Sequence, residues 1–360
     1  MAVPARPALA GDPRRVGRAR PRRGVGAPGV AQGAPVGAVR PPRAEAAVAG
    51  PRTPPRTRHG APALPAKTRE LQTAVIDSTA WDSFAFRDGD IIISTYAKAG
   101  TTWVQAIVAN LLFGADPAAL PPADESPWID MRSIIPLAKR EAVLEAQTHR
   151  RYLKTHLPVD ALVTSPMAKY VYVGRDGRDV MWSMHNHHAN MMPSTLDGFN
   201  TMPGRVGPPL GPLTDDVLTY WRVWMERDGH PWWPFWHHIR SWWAVREHPN
   251  VMLLHFNDLL SDLSGCVARL AAFLDIPASE ELVAATVHRC SFGFMKAHAE
   301  DVVSARGAWL KGGATAFINK GTNGRWLGVL PDAESEEYER RAVAELGPDR
   351  AKWLKKGGRL

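Results

Sequence analysis

Chemistry-bearing residues gather first at Tyr96-Ala97-Lys98-Ala99-Gly100-Thr101-Thr102, a turn holding a lysine, a glycine and two hydroxyls. It follows the apolar run Ile91-Ile92-Ile93 and precedes a helical pattern, so it is expected to join a buried strand to a helix. Backbone N–H groups and the helix dipole converge at such a joint, and Lys98 adds a full positive charge. The chemistry this suits is binding of a phosphate or a sulfate. Its lysine precedes its glycine, whereas the Walker pattern places Lys-Ser/Thr after the second glycine, so ATP or GTP fits poorly. Taken alone, the turn is also compatible with an ordinary strand–turn–helix joint carrying a solvated lysine.

Three later clusters narrow the choice. Lys154-Thr155-His156-Leu157-Pro158 closes a short strand and places His156 at a strand's carboxyl end. An imidazole there suits a general base for a hydroxyl near neutral pH. Arg175 follows the strand 170–173, and Ser183 lies far enough into the next helix to reach the same anion. Lys320 sits in a glycine-rich loop, Asn319-Lys320-Gly321-Thr322-Asn323-Gly324. The pattern therefore predicts two anion sites, one at Lys98–Thr102 and one built by Arg175, Ser183 and Lys320. His185, His187 and His188 are weighed as metal ligands and set aside, because neighbours on one helix point in different directions. No metal is expected.

The elements that must position these groups alternate. Apolar spacing from Val104 through Ile107, Val108, Leu111 and Leu112 predicts a helix over 103–113, ended by Gly114. A proline-rich loop with Pro117, Pro121, Pro122 and Pro127 leads to a helix near 138–148 and a strand at 152–155. After the strand 170–173 come a helix from about 179, a Pro/Gly- and Trp-rich section over 190–236, and a helix near 234–247. A strand at 251–256 precedes helices near 262–274 and 279–288, a glycine-rich loop at 311–324 and an acidic helix near 333–346. Alternation of this kind predicts an α/β fold, a three-layer sandwich with a central parallel sheet flanked by helices in one domain. Ligands in such folds collect beyond the strands' carboxyl ends, where the four clusters fall.

Charge and composition exclude several classes. The chain has 360 residues and a formal net charge of +8, but residues 1–66 carry 12 arginines, no lysine and two acids. The rest is nearly neutral, so a basic nucleic-acid face is not expected. Those 66 residues also hold 13 of the 31 prolines and are read as a disordered tail, leaving 67–360 as the domain. Cys266 and Cys290 lack metal or disulfide spacing and read as reduced thiols. No apolar run is long enough to span a membrane and no secretory signal is evident, so a cytoplasmic location is expected.

The same residues carry a resemblance to the cytosolic-type sulfotransferases that use 3′-phosphoadenylyl sulfate (PAPS), and within them to bacterial members, some acting on glycolipids. TYAKAGTTW resembles the family's TYPKSGTTW, LKTHLP matches its LKTHLP, and YVYVGRDGRDVMWS is similar to its strand-plus-RNPKDxxxS segment. FINKGTNGRW resembles its FxRKGxxGDW. Four motifs in family order cover roughly 75–353. The resemblance implies a P-loop-type fold and a 5′-phosphosulfate cradle made by Lys98, Ala99, Gly100, Thr101, Thr102 and Trp103, with Trp103 against the adenine. It implies a 3′-phosphate site made by Arg175, Ser183, Lys320 and Gly321, with Asn319 beside Lys320. His156 would be the base; Lys98 and Lys154 would stabilise charge on the sulfuryl group, and Ser183 would join them in the catalytic set. Phe256 stands where the family has a tyrosine, and Ser291 and Phe292 match the segment that encloses the adenine. Other departures are Ala97 for proline, Ala99 for serine, Asn319 for arginine, Cys290 for threonine and Arg325 for aspartate. The short dimerisation pattern of animal members (KxxxTVxxxE) is missing, which leaves the oligomeric state open.

The acceptor side is read from composition. Seven of the 14 tryptophans fall between Trp221 and Trp243, and the i, i+7 placing of Trp236 and Trp243 favours a core role over an acceptor-pocket wall. Met191, Met192 and the proline-rich loop after them read as lids. An apolar pocket with one polar target fits a phenol, an alcohol or a glycolipid. Two other classes stay in view: a P-loop kinase, which lacks its Walker lysine here, and a non-catalytic nucleotide-binding protein, which would be expected to have lost His156 or Lys98.

Overall fold

The computed structural model describes residues 64–114, 123–132, 135–211 and 213–359. Almost all of the predicted tail, together with Pro117, Pro121 and Pro122, lies outside the described residues. Leu64 already packs against the core, and the carbonyl of Pro65 accepts a hydrogen bond from Thr164 Oγ1 at 3.2 Å.

Four strands form one parallel sheet: β1 (Ile91–Thr95), β2 (Tyr152–Thr155), β3 (Lys169–Gly174) and β4 (Val251–His255), in spatial order β2-β1-β3-β4. Side chains alternate across a strand, and the two faces of this sheet bury different clusters. Ile91, Ile93, Val171, Val173 and Leu254 face one layer with α1 (Thr101–Phe113), α8 (Leu263–Phe273) and α9 (Glu280–Arg289). Ile92, Leu153, Tyr170 and Tyr172 face a larger layer that includes α3 (Gly177–Ala189), α5 (Val217–Glu226), α6 (Phe235–Ala244) and α13 (Asp332–Leu346). The expected three-layer α/β sandwich is therefore observed. Strands buried on both faces read as continuous apolar runs, which is why Ile91-Ile92-Ile93 signals so plainly.

The remaining helices are α2 (Leu137–Ala146), α4 (Pro193–Thr201), α7 (Phe256–Ser261), α10 (Phe292–Ala297), α11 (Ala299–Val302), α12 (Gly313–Phe317) and α14 (Pro348–Lys356). Several depart from expectation. The section 190–236 contains α4 and α5, and the glycine-rich loop contains α12. The strand expected to run to Phe256 ends at His255, whose ring accepts from Asn257 N at 3.1 Å and caps α7. The first helix begins at Thr101, two residues before the expected start at 103, because its entry is set by Gly100 in the left-handed region at φ 117°.

The tryptophans from 221 to 243 are all buried, led by Trp242 at 0% exposure. Tyr172 stacks on Trp242 at 5.5 Å between centroids, and Trp221 stacks on Trp224 at 5.8 Å. The core reading holds for them as a group. Met191 is buried and bridges Leu310, so it packs as an anchor rather than as part of a lid; Met192 beside it is exposed.

A buried ion pair fastens the start of the sheet. Arg151, just before β2, donates from Nε to Asp90 Oδ1 at 2.9 Å and from Nη2 to Asp90 Oδ2 at 2.6 Å, with both side chains 1% exposed. Asp90 Oδ2 also accepts from Arg87 N, and Arg151 Nη2 donates to Ala85 O. Removing one partner strands the other charge without water. Arg151→Ala is expected to lower unfolding free energy by about 3–5 kcal/mol, measured by urea denaturation. An unchanged midpoint would show that this pair adds nothing to stability.

Candidate active site

β1 delivers its chain directly into the turn that carries Lys98. Gly100 is glycine for a steric reason as well as a conformational one: a Cβ there would meet Phe256 at 3.1 Å. Lys98 itself adopts φ 71°, an uncommon conformation for a side-chain-bearing residue. No side chain caps α1, so its first N–H groups are available to an anion. Arg175 Nη1 donates to the carbonyl of Lys98 at 2.9 Å and ties the turn to the end of β3.

The ammonium of Lys98 has no carboxylate partner among the described residues. Its Nζ lies 3.2 Å from His187 Nδ1 and 4.2 Å from the centre of the Phe317 ring. Burial, with the nearby charges of Arg175 and Lys154, pushes its pKa down to about 7. Lys154, on β2, is pushed down to about 8 by burial, while Asp124 and Asp130 act in the opposite direction. Its Nζ lies 5.9 Å from the centre of the Trp128 ring.

His156 sits one residue past β2 and is 6% exposed. Its Nδ1 is 2.7 Å from the carbonyl of Thr95 and 3.2 Å from Thr95 Oγ1. A carbonyl only accepts, so Nδ1 carries the proton and Nε2 presents a lone pair. Both of these contacts run through Nδ1, which leaves Nε2 available. Burial pushes the ring's pKa down to about 3; the Thr95 carbonyl works the other way, and the charges of Lys154 and Lys98 push down further. The ring is neutral at physiological pH. Trp128 meets it edge-on at 4.6 Å and Trp233 lies nearly parallel at 5.8 Å. Asp130, held by the indole N–H groups of Trp81 at 3.0 Å and Trp128 at 2.7 Å, accepts the backbone N–H of His156 at 3.4 Å. Thr95 Oγ1 also meets Thr101 Oγ1 at 2.6 Å, which links the histidine to the first residue of α1.

The second predicted anion site draws on residues from several elements. Arg175 lies with its guanidinium 4.1 Å from the Phe256 ring centre. Its Nε donates to Asn323 Oδ1 at 2.9 Å and its Nη2 to Thr322 O at 3.1 Å, so it bonds the loop that carries Lys320. Phe256 meets Trp103 at 5.3 Å, and Trp103 Nε1 donates to Cys290 O at 2.8 Å. Ser291 caps α10, and the Phe292 ring occupies the space over Gly321, where a Cβ would come within 2.4 Å. These contacts bring Trp103, Arg175, Phe256, Ser291, Phe292 and Gly321 together as expected. Lys320 is exposed, and no contact joins its side chain to Arg175 or Ser183. Ser183 lies on α3 between Asp179, which accepts from Gly324 N at 2.7 Å, and His187. Spacing of four makes these three one helix face.

Several residues of the site escaped sequence reasoning. Thr95, Trp128, Asp130, Phe317 and Asn323 act through contacts between distant segments. His187 was weighed only as a metal ligand, although its i+4 relation to Ser183 was a usable signal. Among the described residues no group of three or more His, Cys, Asp or Glu side chains is placed to hold a metal ion. His185 turns to Thr214 O while His187 turns to Lys98, so the three histidines diverge.

The comparisons with known proteins agree with this geometry. The family described as "Sulfotransferase domain" matches residues 88–347. The glycolipid sulfotransferase of Mycobacterium bovis is 31% identical over 314 residues, covering 80% of this chain and 94% of the relative. Human Sulfotransferase 2B1 is 28% identical over 261 residues, covering 71% of this chain and 65% of the relative. The crystal structure of mouse sulfotransferase SULT7A1 complexed with PAP superimposes with a TM-score of 0.60 at 20% identity, covering 78% of this chain and 94% of that one. A match over most of the chain, arriving on the turn, histidine and arginine described above, places this protein in the sulfotransferase domain family.

Proposed function

We propose that this sulfotransferase takes its sulfuryl group from PAPS and delivers it to an acceptor hydroxyl by in-line attack, with His156 as general base. The observation that carries the reading is the pairing of two opposite requirements at one place. Lys98 and Lys154 supply unneutralised positive charge, and beside them His156 is held neutral with Nε2 unprotonated. The mycobacterial relatives named as glycolipid sulfotransferases favour a glycolipid over a phenol or simple alcohol as acceptor. No helix among the described residues is long and apolar enough to cross a membrane.

The residues present fit such a donor. The uncapped start of α1, with Gly100, Thr101 and Thr102, offers N–H groups to a 5′-phosphosulfate, while the N–H of Ala99 already donates to Tyr96 O at 3.1 Å and Ala99 would shape the turn. Trp103, Phe256 and Phe292 give flat apolar surface for an adenine, with Ser291 and Gly321 shaping its edge. Arg175, Ser183 and Lys320, with Asn319 beside them, would hold the 3′-phosphate. Arg175 is spent on Lys98 O, Asn323 and Thr322 in this structure, so it must exchange at least one of these bonds for the phosphate. PAPS supplies an activated sulfuryl group. The chain supplies the rest: Nε2 of His156 takes the acceptor proton, and Lys98 and Lys154 stabilise the negative charge that builds on the transferred group and its leaving oxygen. Thr95 and Asp130 hold the imidazole in its tautomer and place. The kinase alternative lacks a lysine after Gly100, and the non-catalytic alternative leaves a positioned base without a use.

Transfer from PAPS to a panel of phenols, alcohols and glycolipids tests the reading. His156→Ala is expected to lose about 10²–10⁴ in kcat while retaining binding of PAP. Equal transfer by both proteins would remove His156 as base, and no PAP binding by the wild type would remove the donor. Because the His156 pKa is already depressed to about 3, kcat/KM should show no acid limb near the ordinary histidine value. Lys98 must be charged, and its lowered pKa means this form is lost as pH rises; kcat/KM for the donor should therefore fall above about pH 7. Gly321→Ala should raise the KM for PAPS with little change in kcat, since its Cβ collides with Phe292.

A further inference from the structure

Lys98 is the most consequential charge in the site, and its surroundings are unusual. The side chains facing it are Arg175 from the end of β3, Lys154 from β2, His156 just beyond β2, His187 from α3 and Phe317 from α12. Two are cations and one is a hydrocarbon ring. His156 has its own Nδ1 turned to Thr95. The polar atom within hydrogen-bond distance of the ammonium is His187 Nδ1, at 3.2 Å. His187 is itself packed in place: its ring meets Trp309 edge-on at 5.1 Å and Phe317 at 5.8 Å, and it sits in the last turn of α3.

We propose that His187 is a positioning residue for Lys98: its imidazole, unprotonated at Nδ1, accepts a hydrogen bond from the ammonium and keeps that group charged and aimed until the sulfuryl oxygens take it over. The proposal rests on the reading of Lys98 as the sulfuryl-facing lysine. Three constraints carry it. A partly buried ammonium among cations loses its proton unless some acceptor favours the charged form. A carboxylate in that place would form an ion pair that competes with the incoming anion, whereas a neutral imidazole nitrogen holds the lysine and gives it up without leaving a stranded charge. The imidazole must itself stay neutral, and its surroundings enforce this: burial comes first, then the charges of Lys98, His188, His156 and Lys154, which hold its pKa well below the ordinary value. The geometry also divides the labour on α3. His187 takes Lys98, and Ser183, one turn earlier on the same face, is left for the phosphate side.

The test compares His187→Phe, which keeps the ring and removes the acceptor, with His187→Asn, whose side-chain oxygen can accept in place of Nδ1. The full-length protein is labelled at its lysine side chains, Lys98 is assigned from the resonance lost in Lys98→Arg, and its titration is followed by NMR. In the wild type the midpoint should lie near neutral pH. In His187→Phe it should move to lower pH, and in His187→Asn it should stay close to the wild type. Turnover with PAPS and 2-naphthol as probe acceptor should lose about tenfold in kcat in the Phe variant, as expected for one hydrogen bond to a charged group, and recover in the Asn variant, with the KM for PAPS little changed in both. Equal PAP affinity in all three proteins shows that the variants are folded. A midpoint unmoved by His187→Phe, or an Asn variant that behaves like the Phe variant, overturns the proposal. Failure of the wild type to bind PAP would overturn the donor assignment instead, and the NMR titration would still report on the Lys98–His187 pair.

Discussion

The site is organised by an excess of positive charge that the protein does not neutralise. Lys98, Lys154 and Arg175 converge where β1, β2 and β3 end, and the carboxylates nearest them are committed elsewhere: Asp130 to two indoles, Asp179 to a backbone N–H and Asp176 to Arg178. Burial lowers the affinity of Lys98 and Arg175 for protons, and at Lys98 the neighbouring charges of Arg175 and Lys154 lower it further. Such an arrangement is stable only because the surrounding sandwich holds it rigidly, and it is relieved by an anion. In the proposed mechanism binding and catalysis draw on one source, since the charge that would attract a sulfated nucleotide would also stabilise negative charge building on the sulfuryl group.

The neutral histidine belongs to the same logic. Next to two lysines, an imidazolium would add a further positive charge in a space with little water. The protein instead donates Nδ1–H to a main-chain carbonyl, which has no charge to disturb the anion site and cannot take part in proton exchange. That carbonyl belongs to Thr95, the last residue of β1, so the strand that feeds the anion turn also orients the proposed base. Parallel register explains the meeting: Ser94 on β1 pairs with Thr155 on β2, and the residues following each come together beyond the sheet.

Much of this was legible in the chain because the anion turn, the histidine and the arginine each follow a strand directly, and their placement needs only the rule that parallel strands end on one side. The charge imbalance between the first 66 residues and the rest likewise gave no ground in the composition for expecting a basic nucleic-acid face on the domain. What stayed hidden depended on contacts across large separations. Asp130 carries no signal in the sequence, yet it accepts from the indoles of Trp81 and Trp128. The segment 190–236 looks like a loop because Pro, Gly and Trp have low helix propensity. Burial of Trp221 and Trp224 against Tyr338 and Phe235 overrides that propensity and stabilises α5. Met191 carries the same lesson in reverse: flexible by composition, it is pinned by its bridge to Leu310.

β2 is the outermost strand on its side of the sheet, and it bears Lys154 and precedes His156. An outer strand ordinarily exposes a row of unpaired amides that can recruit another polypeptide. Here Trp128 pairs in parallel with Lys154, the amide of Lys154 donates to Pro127 O at 3.2 Å, and Asp130 takes the next free amide at His156. The segment that holds the His156 backbone therefore also blunts the margin of the sheet. Loss of the contacts around Asp130 would be felt twice, as a misplaced imidazole and as a newly sticky flank inviting self-association.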